Sequence, residues 1–140
     1  MKCMIDNNEM TLTPKKAHPE DAGFDLLAPK DFRIYGGETL SINTRVHVQI
    51  PMGYCGIICN KSGLAFKSSI RSEVGIIDSG YTGSINVLLT NFGHKDKSFA
   101  KGDKISQLVI VPIHPDNKME LVDYMPDTQR GENGFGSTGK

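Results

Sequence analysis

Short apolar runs, each closed by glycine or proline, recur along the whole 140-residue chain and leave room for almost no helix. Residues 31–35 read as extended and lead into Gly36-Gly37, the residue pair of a hairpin-type turn. Residues 39–50 predict the next strand. Within it Val46, Val48 and Ile50 alternate with His47 and Gln49, the period of two that marks a half-buried strand. Pro51 and Gly53 end that run. Further apolar runs cover residues 54–59, 74–77, 85–89 and 105–113. Ile85, Val87 and Leu89 share one face, whereas 105–113 is apolar on both faces, as a strand covered on both sides would be. Residues 63–69 alone suit a helix, of about two turns. Many short strands with almost no helix predict an all-β sandwich or barrel.

Sixteen basic residues balance sixteen acidic ones, so the chain lacks the basic footprint of a nucleic-acid binder. With 38% hydrophobic residues, a chain of this length predicts a single globular domain. The three cysteines are an odd number and argue against a disulfide framework. The spacing of Cys55 and Cys59 does not suit a zinc knuckle, and the four histidines are scattered. No apolar run is long enough to span a membrane, and the first ten residues lack the apolar core of a signal peptide. The expectation is an intracellular protein, cytoplasmic or nuclear, with reduced thiols that pack or sit on the surface.

The last eleven residues, 130–140, hold four glycines and one large apolar side chain, Phe135. They cannot bury enough surface to fold alone and predict a flexible arm. Arg130 offers a planar fork for phosphate, Ser137 and Thr138 offer hydroxyls, and Phe135 has a face on which a base can stack. A functionless tail remains open. Lys61, Ser62 and Gly63 stand where a strand gives way to the helix, either as a phosphate site or as an ordinary cap. GIIDSGYTG at 75–83 puts Asp78 beside a glycine-flanked Tyr81. Asp78 is either an acid that orients water or the start of a turn. Asp25, set in AGFDLLA at 22–28, needs a backbone N–H, an arginine or a hydrated Mg²⁺ as partner. Gln107 shares a face with Ile105, Val109 and Val111 and needs a hydrogen-bond partner there.

Taken in order, these segments resemble the five motifs of the trimeric dUTPase family (dUTP diphosphatases). They are AGFDLLA at 22–28, KSGLA at 61–65, GIIDSGYTG at 75–83 with its continuation to Asn91, GDKISQL at 102–108, and RGENGFGSTG at 130–139. The chain departs from the family pattern in three places. Lys61 replaces the usual arginine, Gly80 replaces an acid, and Asn133 replaces a glycine. The first two are readable as linked, because losing the arginine fork together with an acid removes a salt bridge without leaving an unpaired charge.

The resemblance implies a distorted antiparallel jelly-roll barrel over residues 1–127, with a glycine-rich arm, residues 128–140, that closes over an active site. It implies a homotrimer with shared sites, and hydrolysis of dUTP to dUMP and diphosphate. That reaction keeps uracil out of DNA and supplies dUMP for dTMP synthesis. Asp78 matches the catalytic acid that activates water for attack on the α-phosphorus. Mg²⁺ is the implied cofactor, met by Asp25 through water. Lys61, Ser62, Gly63 and Gln107 match phosphate contacts. A hairpin from Gly75 to Asn86, with Ile76 and Ile77, reads uracil, and Tyr81 packs under the deoxyribose. From the arm, Arg130, Phe135, Gly136, Ser137 and Thr138 close over base and phosphate. Two alternatives are a catalytically weak dUTP-binding or signalling relative, and an enzyme like dCTP deaminase.

Overall fold

The structure, a computed structural model, describes residues 1–114 and 116–132. Its strands are β1 (Lys2–Ile5), β2 (Gly23–Leu27), β3 (Phe32–Ile34), β4 (Thr39–Asn43), β5 (Val46–Gln49), β6 (Tyr54–Cys59), β7 (Ile70–Ser72), β8 (Ile76–Ile77), β9 (Asn86–Asn91), β10 (Lys97–Phe99) and β11 (Lys104–Pro112). One helix, α1 (Ser62–Ser68), follows β6, and two 3₁₀ turns (Asp6–Asn8 and Met10–Leu12) follow β1. Every strand pairing is antiparallel.

A four-stranded sheet runs in the order β2-β11-β6-β8, and a three-stranded sheet in the order β4-β9-β7. The pairs β1-β5 and β3-β10 complete the pairing. The inner faces meet in one core that includes Leu26, Ile34, Val46, Ile58, Ile70, Ile85, Val87, Leu89, Ile105 and Leu108. Each of these side chains is essentially removed from water, which stabilises the fold by about 1.5–3 kcal/mol per side chain before entropy is counted. Phe32 and Phe99 face each other across the β3-β10 pair, with ring centroids 4.8 Å apart.

The all-β expectation holds, as does the short helix. The alternation of Val46, Val48 and Ile50 with His47 and Gln49 is seen directly, the first three being buried. Several local expectations need correction. Residues 39–50 are two strands. Between them Thr44 is fully buried, with its hydroxyl donated to the Ile85 carbonyl at 2.8 Å. Arg45 then takes a left-handed φ of 62°, its N–H donated to Asn43 Oδ1. The chain thereby passes from the three-stranded sheet to the β1 pairing. Gly36-Gly37 joins no hairpin, because β3 pairs with β10 and β4 with β9. Gly37, at φ 78°, instead donates its N–H to Asn91 O. In β11 a bulge between Lys104 and Ser106 shifts the register by one residue. Ile105 therefore joins Leu108 in the core, and Gln107 keeps company with Val109 and Val111 on the other, half-buried side.

Candidate active site

Asp25 sits in the middle of β2 and pairs across the ladder with Gln107 of β11. Its carboxylate is nearly sealed from solvent, with 9% of the side chain exposed. Burial on its own pushes this carboxyl group upward. Hydrogen bonds and charge from Lys104 and Lys61 outweigh that and hold it below the usual carboxylate range. Lys61 Nζ lies 2.6 Å from Oδ1 and Lys104 Nζ lies 2.7 Å from Oδ2. In return, the bond to Asp25 raises Lys104 above its ordinary value. Two ammonium groups on one carboxylate leave a net positive corner, suited to anionic oxygen.

The same corner explains Gln107. Its Nε2 donates to the Asn60 carbonyl at 2.8 Å, at the point where β6 hands the chain to Lys61. Its Oε1 fills the space above Gly23, where a Cβ would meet it at 2.4 Å, so a larger residue there would have to displace the Gln107 side chain. Asn60 Oδ1 accepts the Ser72 N–H at 2.7 Å. The buried Ser106 hydroxyl bonds both the Cys59 carbonyl and the Ser72 hydroxyl. Every buried side-chain N and O in the described residues is bonded. Gly23, Asn60, Ser72, Ser106 and Lys104 were not singled out from the sequence. The one available signal was Ser106, a polar residue in an otherwise apolar run.

Lys61 occupies the cap position of α1, with extended backbone and no side-chain cap bond. The capping explanation for Ser62 is thus not realised. Ser62 and Gly63 lie exposed at the start of the helix, and nothing stands within 4 Å of where a Gly63 Cβ would be. Lys61 itself is committed to Asp25. Its partner is on β2, and the space around Gly80 is open.

The segment from Gly75 to Asn86 is not a hairpin. Ile76 and Ile77 form β8, the edge of the four-stranded sheet, and pair with Ile57 and Gly56. Asn86 opens β9, which belongs to the other sheet. The stretch from Asp78 to Ile85 is therefore a connection between sheets. Its arms are held by the sheets, and its tip by its own contacts together with His47 of β5, whose Nδ1 lies 2.8 Å from the Thr82 carbonyl. The Gly75 carbonyl accepts the Ile58 N–H, and Ile85 exchanges backbone bonds with Thr44 and Val46. At the tip the Tyr81 N–H donates to Asp78 O. The Tyr81 hydroxyl donates to Ser84 O at 2.9 Å, which lays the ring over Gly83. Asn86 Nδ2 reaches the same Ser84 carbonyl at 3.2 Å. Asp78 is exposed, and among the described residues no hydrogen bond or ion pair occupies its carboxylate.

One chain thus gathers Asp25, Lys61 and Gln107 at one corner, and Gly75, Ile76, Ile77, Asp78, Tyr81 and Asn86 along one connection. Arg130 lies in the exposed segment 116–132. Phe135, Gly136, Ser137 and Thr138 lie outside the described residues.

A model of the dUTPase family matches residues 9–139. The chain belongs to the dUTPase family. The deoxyuridine 5'-triphosphate nucleotidohydrolase of Cutibacterium acnes is 43% identical over 129 residues, covering 90% of this chain and 84% of that protein. The enzyme of the same name from Candida glabrata is 35% identical over 133 residues, covering 95% and 92%. Among solved structures, the dUTPase of Staphylococcus bacteriophage 80alpha with dUPNHPP superposes at a TM-score of 0.88, with 28% identity and coverage of 99% and 98%. A mutant dUTPase from phage phi11 of S. aureus, described in terms of the coordination of a structural Mg(II) ion, superposes at a TM-score of 0.78, with 25% identity and coverage of 89% and 98%. The dUTPase fold of these proteins is the antiparallel all-β fold seen here.

Proposed function

We propose that Asp78 activates water for attack on the α-phosphorus of dUTP, on a connection whose tip recognises the nucleoside, within a homotrimer. The chain is a dUTP diphosphatase by family, and the products are dUMP and diphosphate. The observation that carries the assignment of roles is the contrast between its two motif carboxylates. Asp25 is sealed and doubly bonded to ammonium groups, whereas Asp78 is open to solvent and uncommitted.

Asp78 accepts a hydrogen bond from the attacking water and orients it, which is the positioning that phosphoryl chemistry chiefly requires. The net positive corner of Lys61, Asp25 and Lys104 lies next to the Ser62 hydroxyl and the Gly63 N–H, and this group holds triphosphate oxygens. Gln107 acts through Asn60, fixing the residues that precede Lys61. Backbone groups from Gly75 to Ile77 and along the connection read uracil. A cytosine edge reverses one donor and one acceptor and would leave buried groups unpaired. The Tyr81 ring, fixed over Gly83, packs against the deoxyribose and leaves no room for a 2′-hydroxyl. Arg130, Phe135, Gly136, Ser137 and Thr138 close over base and γ-phosphate.

The donor set decides how Mg²⁺ fits. Among the described residues no cluster of three or more histidine, cysteine or carboxylate groups can cage a metal. Both Asp25 oxygens are already bonded to lysine. These residues fit an ion that arrives on the triphosphate, keeps its waters and meets Asp25 only through them, as Mg²⁺ prefers. When bound, it neutralises triphosphate charge.

Trimer formation is supported by Val74, Ile76, Leu88 and Phe92, large apolar side chains exposed on the single chain. It is supported also by residues 116–127, which are exposed along their whole length. Among the described residues no helix is long and apolar enough to cross a membrane, and all three thiols are free, which suits a reducing, intracellular compartment, cytoplasmic or nuclear.

The test is diphosphate release from dUTP with Mg²⁺, beside UTP, dCTP and dTTP. Release from dUTP alone is expected. Binding of dUTP without release would favour a non-catalytic relative, and release of ammonia from dCTP a deaminase.

A further inference from the structure

His47 lies on β5, outside every motif discussed above, and its ring joins two segments far apart in sequence. Nδ1 lies 2.8 Å from the Thr82 carbonyl, at the tip of the connection that carries Asp78 and Tyr81. Nε2 lies 2.9 Å from Asp6 Oδ1, in the first 3₁₀ turn. A carbonyl and an ionised carboxylate only accept hydrogen bonds. A neutral imidazole carries one N–H and would turn a lone pair toward one of them. Both contacts are satisfied together only when both ring nitrogens are protonated.

We propose that His47 is a positioning residue whose imidazolium form clamps the Tyr81–Thr82 tip to the N-terminal 3₁₀ turn, so that nucleoside binding weakens as His47 loses its proton. The inference rests on the assignment of the connection to nucleoside recognition. The Thr82 carbonyl is the larger influence raising His47 above its ordinary value; partial burial opposes it, and Asp6 adds to it. The direction therefore agrees with the geometry. Asp6 from the 3₁₀ turn is the charged group on the ring. From β1, Met4 lies opposite His47, with Cys3 and Lys2 farther along. Arg45, two residues away on the near side, turns to Glu9. The clamp is closed below the raised value and opens as pH rises through it.

Three measurements on the full-length protein test this. First, ¹⁵N NMR of the histidine ring should show His47 titrating above the ordinary histidine value, with both nitrogens protonated below that titration. Second, KM for dUTP should rise about fivefold as pH passes the His47 titration seen by NMR, with kcat following only the Asp78 chemistry. His47→Gln keeps a single donor set at all pH and should lose that break in KM while still turning over dUTP. Third, Asp6→Asn removes the carboxylate, so the ring should titrate at lower pH and the KM break should move down with it. A ring that titrates at or below the ordinary histidine value, or a KM break that survives in His47→Gln, would overturn the clamp and leave the assignment of Asp78 standing. Failure of the wild-type chain to hydrolyse dUTP would overturn that assignment instead, and the NMR titration would still decide whether the clamp exists.

Discussion

Asp25 and Asp78 are both motif carboxylates, and the fold treats them in opposite ways. Asp25 is buried in a central position, bonded on both oxygens, and held ionised by two lysines despite its burial. Asp78 stands exposed at the end of an edge strand, on a connection with few bonds of its own. A carboxylate whose oxygens are already bonded cannot take a proton from water without losing those bonds. A carboxylate in the open can. The difference teaches that charge at Asp25 organises the site, while charge at Asp78 is free for chemistry.

The sharpest way to break the comparison is Asp78→Asn. Turnover of dUTP should fall about 10²- to 10⁴-fold with nucleotide binding and unfolding midpoint little changed, measured by diphosphate release and calorimetric titration. Normal turnover would reverse the roles given to the two acids. Truncation after Asp127 should come next in size. It should largely abolish turnover while leaving the assembly state, read by light scattering, unaltered.

Asp25→Asn should act mainly on stability, costing about 1–3 kcal/mol in urea unfolding at neutral pH, because Lys61 and Lys104 lose their shared partner but still reach water. The sign with pH follows from the lowered carboxyl value. The contribution of Asp25 is fully present above about pH 4, the unfolded value, and is lost as pH falls through the lower folded one. The wild type should therefore lose stability on acidification more steeply than Asp25→Asn. Parallel slopes would mean that the two lysines do not hold Asp25 ionised. The smallest effect should come from Tyr81→Phe, which removes only the bond to the Ser84 carbonyl. A rise in KM of about threefold is expected. Tyr81→Ala should in addition narrow the preference for dUTP over UTP.

Most of the core strands were legible because burial of one sheet face imposes a period of two. Val46, Val48, Ile50, Ile85, Val87 and Leu89 all follow it and are all buried. β1, β2, β7 and β10 were not legible. They are strands because a partner strand supplies their hydrogen bonds, which no local pattern records. The bulge in β11 moved Ile105 to the core side for the same kind of reason, since register belongs to a pair of strands.

The candidate site divides in the same way. Its residues were legible as types at fixed spacings, with Asp25, Lys61, Asp78, Tyr81 and Gln107 each recognisable from its immediate neighbours. Their partners were not. That Lys61 and Lys104 converge on Asp25, that Gln107 lies over Gly23, and that His47 reaches Thr82 are contacts between elements distant in the chain. The sequence by itself determined an all-β chain, its family and the candidate residues for its chemistry, because periodicity and motif spacing are local properties. Only the tertiary structure decided which charges are paired, which acid stays free and which sheet each strand joins, because burial and pairing depend on what the rest of the chain brings alongside.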